Sequence, residues 1–440
     1  MRKTQRRTFL KTTGFGVTAW TVGRRTARAA TAAERLVVGV IGTGGMGSHH
    51  VRQLVANKNV DVAILCDVDQ RRLGKAVRHV EEAGRPAPRA VGDLRRVLDD
   101  PHVDAVLIAT PDHWHGPASI LALDAGKHVY VEKPCCHNIR EGRLMADAAE
   151  RTGKVLQVGT QSRSTDCVRE AMARVHAGEI GEVMVAKAWN CQRRGSIGKT
   201  KPSQPPKELD FDAWVGPAPM VPYRSNLLPS IWRWWYAFGC GDIGNDGVHD
   251  IDVALWGLQA TEHPSTVSCH GGKYVFDDDQ QFPDTQYAVC EYDAPGAPSG
   301  RKRQFIFEQR IWSPYTLDGY SNGAAFYGTQ GVMIVGHTVG WRLYGPGDKL
   351  IAERKGHADL TAHHRNFFDV VRGRANNLNA PIMAGHRAAT IVHLANIAAR
   401  RGHTIHFDPA TETIRDDPQA ASMVGRTYRA GHWAVPAGAG

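Results

Sequence analysis

The 440-residue chain has no apolar run approaching the roughly 18 residues that would predict a membrane-spanning helix. Its eight cysteines (Cys66, Cys135, Cys136, Cys167, Cys191, Cys240, Cys269 and Cys290) form no CxxC pair, and no His/Cys spacing suggests zinc, so no metal site is expected. Their number alone leaves thiols and disulfides both open. No internal repeat is visible. Acidic residues are missing from positions 1–29, which carry eight basic ones (Arg2, Lys3, Arg6, Arg7, Lys11, Arg24, Arg25 and Arg28). Of the net +10, those eight charges leave +2 for everything else. A body so nearly neutral has no electrostatic footprint for nucleic acid.

The basic leader has an order of its own. Arg6-Arg7, Phe9-Leu10 and Lys11 follow the twin-arginine export pattern. Thr12–Val22 is mildly apolar, with four Thr and two Gly, too short and polar to span a bilayer. Ala27-Arg28-Ala29 then offers a small-residue cleavage site. The expectation is a twin-arginine signal over 1–29, cleavage after Ala29, engagement of the twin-arginine machinery, and a periplasmic or otherwise exported product.

Leu36–Ile41 (LVVGVI) predicts a buried parallel strand. Gly42-Thr43-Gly44-Gly45-Met46-Gly47 follows at once and opens a helix, which is GxGxxG in dinucleotide-binding context. Gly42 permits the turn, Gly44 lets a pyrophosphate approach the backbone, and Gly47 lets helix and strand pack closely. A second strand, Val62–Cys66, ends at Asp67, placed to bind the adenosine ribose hydroxyls. A carboxylate there repels a 2′-phosphate, so NAD is favoured over NADP, with Arg71 and Arg72 close enough to soften the preference. An exported enzyme has no free dinucleotide pool to draw on, so this one should hold its cofactor tightly.

Strands at Ala105–Ala109 and His128–Glu132, a helix over Gly116–Ala125 ended by Gly126, and a helix opened by the cap-like pair Asn138 and Glu141 continue the alternation. This is a doubly wound α/β Rossmann domain, with ligands at the carboxyl ends of its strands. Thr110-Pro111-Asp112-His113-Trp114-His115 and Glu132-Lys133-Pro134 fall at those ends. Thr110, Pro111, His115 and Glu132 are therefore candidate cofactor contacts.

Thr110-Pro111…His115 with Gly126–Pro134 resembles the signature of the glucose–fructose oxidoreductase, inositol dehydrogenase and rhizopine-catabolism (Gfo/Idh/MocA) family. Leu156–Arg163 (LQVGTQSR) is similar to the family's passage into its second domain and adds Gln161 as a cofactor contact. Asp242–Asp252 (DIGNDGVHDID) is similar to its catalytic helix, and Gly328–Gly331 to a late strand turn. The resemblance implies a Rossmann domain over 35–155, then an α+β substrate and oligomerisation domain over 156–435 with a large, mostly antiparallel sheet. It implies that Lys133 sits near the nicotinamide and the reacting hydroxyl, and that His249 is an acid/base. Homo-oligomerisation through the sheet is an expectation of the same kind.

Spacing adds to this. Asn245, His249 and Asp252 stand at i, i+4 and i+7, on one helical face. Oxidising a carbinol requires a base for the hydroxyl proton and a C–H aimed at the nicotinamide. His249 suits the base and Lys133 the alkoxide stabiliser, the exchanged roles being the alternative. Many family members place Asp four residues before this His; here that residue is Asn245 and the acid moves to Asp246. An Asp–His dyad is thereby in doubt, and Asp252 is left to orient His249. Arg163, Asn190, Asn245, Asp246 and Asp252 are the candidate substrate contacts. Trp232, Trp234, Trp235 and Tyr236 offer either a sugar-stacking surface or plain packing.

Residues 193–230 read as a long loop over the second domain. Strands at Thr266–His270, Gln286–Tyr292, Gln304–Gln309 and Val332–Val335 fit one antiparallel sheet, helices follow at His364–Arg372 and His386–Arg400, and the tail after Val435 reads as disordered. The expected function is NAD(P)-dependent oxidation of a sugar or polyol with tightly bound cofactor. The alternative is a glycoside hydrolase that oxidises a sugar carbon transiently, eliminates the leaving group and reduces the carbon back.

Overall fold

The computed structural model describes residues 35–293 and 301–439. The twin-arginine leader lies outside the described residues.

The first unit alternates strand and helix. Its elements are β1 (Leu36–Ile41), α1 (Gly45–Ala56), β2 (Val60–Cys66), α2 (Gln70–Glu82), β3 (Arg89–Val91), α3 (Arg95–Leu98), β4 (Ala105–Ile108), α4 (Asp112–Asp124), β5 (His128–Val131), α5 (Ile139–Thr152) and β6 (Leu156–Val158). The strands form one sheet in the order β3-β2-β1-β4-β5-β6, parallel throughout. Local chemistry sets the boundaries. Asp69 caps α2 by accepting from the Arg71 and Arg72 amides, Asn138 caps α5 through the Glu141 amide, and Gly153 ends α5 at φ +65°. In α1, buried Gly47, His50, Val51 and Leu54 recur at helical spacing and face the sheet.

The second unit begins with α6 (Asp166–His176), β7 (Val183–Asn190), α7 (Phe211–Val215) and α8 (Val248–Gly257). Strands β8 (Thr266–Gly272), β9 (Thr285–Asp293), β10 (Lys302–Arg310), β11 (Asn322–Gly328), β12 (Val332–Gly336), β13 (Gly340–Gly345) and β14 (Lys349–Lys355) follow. Helices α9 (Leu360–Val371) and α10 (Ile382–Arg401), then β15 (Ile405–Asp408), β16 (Thr413–Arg415) and α11 (Pro418–Ala421), complete it. The ten-stranded sheet runs β14-β13-β12-β11-β7-β10-β9-β8-β15-β16. Helices α6, α8 and α10 bury one face in a core that includes Phe305, Phe307, Phe326 and Ile391. The other face leaves Tyr287, Tyr327, Leu350 and Ile351 exposed. No helix among the described residues is long and apolar enough to cross a membrane.

Four sequence expectations change. The sheet is larger than the four runs suggested and holds one parallel pair, β7 with β10. Residues 193–230 reach the first unit: the Gln70 amide donates to Glu208 at 3.0 Å and the Asp210 amide to Val68 at 3.0 Å. Helix α9 also crosses back, placing Phe367 and Phe368 in the Rossmann core beside Val38 and Tyr130. The C-terminal tail is packed: Ala434 is buried in the core beside α4 and α5, and Arg140 Nε donates to the Gly438 carbonyl at 3.0 Å. Such anchoring needs a few contacts distant in sequence, which composition does not reveal.

Candidate active site

The carboxyl ends of β2, β1, β4 and β5 open on a cavity of about 1120 Å³. It straddles β1 and β4, where the strand order reverses, the site at which a doubly wound sheet leaves a crevice. Gly42, Gly44, Gly45 and Met46, with Asp67, Arg72, Thr110, Pro111, His115, Glu132, Lys133 and Asn245, line it.

The glycine turn is built for close approach. Gly42 has φ +86°, and a Cβ there would lie 2.7 Å from the Ala109 carbonyl oxygen. A Cβ on Gly47 would lie 1.8 Å from the Gly42 oxygen, so this residue packs the turn and does not line the cavity. A Cβ on Gly44 would meet the Arg72 guanidinium at 2.3 Å, and one on Gly45 would meet nothing within 4 Å. Helix α1 starts here with no capping side chain, so its first amides remain available to an anion. This cradle, with a cation over Gly44, fits a dinucleotide pyrophosphate.

Asp67 holds the turn from the side. Its Oδ2 accepts from the Thr43 amide at 2.7 Å and hydroxyl at 3.0 Å, and its Oδ1 from the Asp69 amide at 2.9 Å. Burial raises its carboxyl above the usual range against these hydrogen bonds. Thr43 is thus a buried brace. His115 ties two strand ends together, its ring bridging the Pro134 carbonyl at 2.7 Å and the Thr110 carbonyl at 2.9 Å.

Lys133 follows the end of β5. Its ammonium donates to the backbone carbonyl of Asn245. Burial pushes it below the ordinary lysine range and Arg233 adds to this, while Glu132, Asp112 and Asp242 oppose. Asn245 belongs to a π-helical turn, Ile243–Gly247, immediately before α8. Two glycines let that wide turn sit close: a Cβ on Gly244 would lie 2.4 Å from the Cys240 Cβ, and one on Gly247 2.7 Å from the Phe307 ring. Buried Asp242 fixes it, accepting from Asn190 Nδ2 at 2.9 Å, Asn245 Nδ2 at 2.9 Å and Arg194 Nε at 3.1 Å.

The π-turn divides the helical face expected from spacing. His249 is buried behind Lys133; desolvation first, then the charges of Lys133 and His337, depress its basicity strongly. Its Nδ1 has no partner among the described residues. The ring lies 5.1 Å, centroid to centroid, from His337, which pairs with Asp250 at 3.1 Å. Asp252 does not orient His249: its Oδ2 accepts from Arg163 Nε at 2.6 Å, and Arg163 lies over the Trp256 ring. Asp246 is held by Arg194. Gln161, Arg163, Asn190, Asp246 and Asp252 therefore stand around the cavity and do not line it.

Sequence reading passed over Asp112, Arg233 and Arg194. Asp112 opens α4, fully buried beside His115, Lys133 and Arg233, and burial raises its carboxyl. Arg233 lines the cavity within the aromatic cluster, where Trp232 also lines it, while Trp234 is buried and Trp235 packs against the core around Trp214 and Phe238. Of the three, Asp112 lay inside the Thr110–His115 motif and Arg233 between Trp232 and Trp234, where a census of charged residues would have caught them; Arg194 lay in the 193–230 loop with no such signal. His432 and Trp433 line the cavity from the far end of the chain, with Arg95 4.5 Å from the Trp433 ring centre; no local pattern marks them.

Among the described residues, His263, His386 and Glu412 bring metal-type ligand atoms together. Both imidazoles face Glu412 Oε1, at 3.1 and 3.0 Å, and Arg143 donates to the same oxygen. The guanidinium occupies the charge-neutralising place a cation would take.

Residues 36–160 match the model of an oxidoreductase family with an NAD-binding Rossmann fold, and residues 182–287 and 349–435 match that family's C-terminal alpha/beta domain. A scyllo-inositol 2-dehydrogenase (NAD(+)) of Bacillus subtilis is 27% identical over 68% of this chain and 72% of its own. A glycosyl hydrolase family 109 protein of Shewanella sp. (strain ANA-3) is 37% identical over 125 residues, 28% of this chain and 27% of that protein. The alignment thus spans about a quarter of that relative's length. Among solved structures, levoglucosan dehydrogenase in complex with NADH shares the fold at TM-score 0.64 and 19% identity, over 84% of this chain and 99% of that one. The glycine turn on its parallel sheet agrees with the first family model and the second unit with the other, and the chain belongs to the Gfo/Idh/MocA family of NAD-binding oxidoreductases.

Proposed function

We propose that this protein oxidises a secondary hydroxyl of a sugar or cyclic polyol with a tightly held NAD. The observation that carries the reading is the half-buried Lys133, which lines the same cavity as the glycine turn and has its basicity lowered. The dinucleotide accepts hydride when bound; Gly42, Gly44, Gly45, Met46, Arg72, Thr110 and Pro111 would hold it, and Lys133 with Asn245 would face its reactive end. Lys133, its basicity lowered by burial, holds the substrate oxygen and stabilises the alkoxide. His249 takes the proton from its place behind Lys133, outside the cavity wall, although burial and the Lys133 charge lower its basicity. Arg233 and Trp232 offer a cation and a ring to the remainder of a sugar.

The names of the relatives support this substrate class, since they act on scyllo-inositol and levoglucosan. Export through the twin-arginine route and cleavage after Ala29 belong to the same proposal. So do a dinucleotide unit over 35–155, a substrate unit over 156–435, and association of copies through the open sheet face. The glycosyl hydrolase relatives favour a second reading, redox-neutral cleavage of a glycoside with the same Lys133 and His249.

One preparation separates the two. The mature protein is purified without added cofactor, denatured, and its released dinucleotide identified; intact protein is offered free sugars, cyclitols and aryl glycosides. Bound NAD reduced by a free sugar or cyclitol is the expected result. Aryl glycoside cleavage with no net change in the cofactor supports the hydrolase. Absence of any bound or acquired dinucleotide overturns both.

A further inference from the structure

Behind the Glu-Lys-Pro corner the structure holds a chain of buried titratable groups that the reaction above does not use. Glu132 lines the active-site cavity and is otherwise buried. Its Oε2 accepts from the Lys133 amide at 3.3 Å, and its Oε1 meets His50 Nε2 at 2.9 Å. His50, fully buried in α1, meets His364 Nε2 through its Nδ1 at 2.9 Å. His364, in α9, lines a second cavity of about 470 Å³ on the other side of the domain. Three groups in unbroken hydrogen-bond contact therefore connect two separate cavities.

The surroundings insulate this line. The Tyr130 ring stacks edge-on to His50 and to His364, at centroid distances of 5.2 and 5.3 Å, and Phe368 packs near His364. Gly159 gives Glu132 its room, since a Cβ there would lie 2.7 Å from Oε1. A plain structural tie between α1 and α9 needs only one hydrogen bond; it does not need a carboxylate reaching the reaction chamber at one end and a solvent-side cavity at the other.

We propose that Glu132, His50 and His364 form a proton relay from the active-site cavity to the second cavity. The inference rests on the oxidoreductase reading. Oxidation of a carbinol sends the C–H hydrogen with its electron pair to the nicotinamide, leaves a carbonyl, and sets free one proton from the hydroxyl. That proton is taken first by His249, and must leave a chamber closed by substrate and cofactor before the next turnover. Glu132 receives it from the cavity and passes it to His50 Nε2. His50 releases its Nδ1 proton to His364 Nε2, and His364 gives up its own Nδ1 proton to the second cavity. Before transfer both rings carry their proton on Nδ1; afterwards both carry it on Nε2 and must return to the Nδ1–H form before the next turnover, so that one proton enters, one leaves, and no electrons move along the chain. Lys58, Arg365, Arg372 and Arg374 line the exit against Asp369 alone, so their field disfavours a proton lingering on His364 and favours release.

The test uses cofactor-loaded protein and the best carbinol from a panel of free hexoses and cyclitols. Stopped-flow absorbance follows nicotinamide reduction, and a pH-indicator dye follows proton release. His50→Gln and His364→Gln keep a hydrogen-bonding group but cannot pass a proton. Both are expected to leave the first-turnover absorbance change within about twofold of wild type and to delay the dye signal by about tenfold or more. Added imidazole should restore dye timing in His364→Gly. Independently of turnover, a nitrogen–nitrogen coupling across the His50–His364 hydrogen bond is expected in the NMR spectrum of labelled protein. Dye and absorbance changes that stay synchronous in both glutamine variants, or absence of that coupling, overturn the relay. If wild-type protein shows the coupling but no carbinol of the panel reduces its nicotinamide, the oxidoreductase reading fails and the relay's assigned role in carbinol oxidation falls with it, while the bonded chain itself stands.

Discussion

Replacing Arg163 with Met distinguishes a brace from a substrate contact. Arg163 Nε lies 2.6 Å from Asp252 Oδ2, with side-chain exposures of 13% and 1%, and the other Asp252 oxygen has no partner among the described residues. Removing the guanidinium strands a buried carboxylate, which costs about 3–5 kcal/mol. Loss of its contact with Trp256, 5.0 Å from the ring centre, adds roughly 0.5–1 kcal/mol. Adding Asp252→Asn removes the charge and leaves an underbonded amide at about 1–3 kcal/mol. The double variant should therefore recover about 2 kcal/mol of the single variant's loss. Two cores need not unfold together, so the assay is hydrogen-exchange protection of the α8 amides, which reports local opening free energy. The reasoning is refuted if Arg163→Met changes that protection by less than about 1 kcal/mol while raising KM for the sugar. Arg163 would then be a binding residue, as the sequence suggested.

Three further outcomes follow from the same structure. Lys133→Met should lower nicotinamide reduction by at least about 10²-fold while the purified protein keeps its dinucleotide, as read by denaturation and chromatography. Gly47→Ala places a methyl 1.8 Å from the Gly42 oxygen and should abolish bound dinucleotide while the second unit stays folded, by hydrogen exchange. Burial opposes ionisation of Glu412, yet hydrogen bonds from His263, His386 and Arg143 prevail and hold it far below the usual carboxylate range. A depressed native pKa gives stability that is present above the unfolded value of about 4.3 and drains away as pH falls. Glu412→Gln should therefore lower the unfolding midpoint at pH 7 and flatten its decline between about pH 5 and pH 3, measured by urea titration.

The sequence by itself determined the Rossmann half. Strand, glycine turn and helix are set by residues adjacent in the chain, and Gly42, Gly44 and Gly47 can be assigned because each answers a local steric demand. The strand-end motifs at Thr110–His115 and Glu132–Pro134 were legible for the same reason: topology places strand ends at the crevice. Only the tertiary structure decided what each polar group faces. Asn245, His249 and Asp252 share a face in an ideal helix, but the π-turn, set by Asp242 with Asn190 and Arg194, shifts the register. Asp252, in regular α8 with His249, is claimed instead by Arg163, 89 residues away in the chain. Residues 206–233, helix α9 and the tail through Trp433 return to the first unit across long stretches of chain, and no periodicity encodes where they land. His50 and His364, more than three hundred residues apart, read singly as core histidines; only packing α9 against α1 makes them one hydrogen-bonded line behind Glu132.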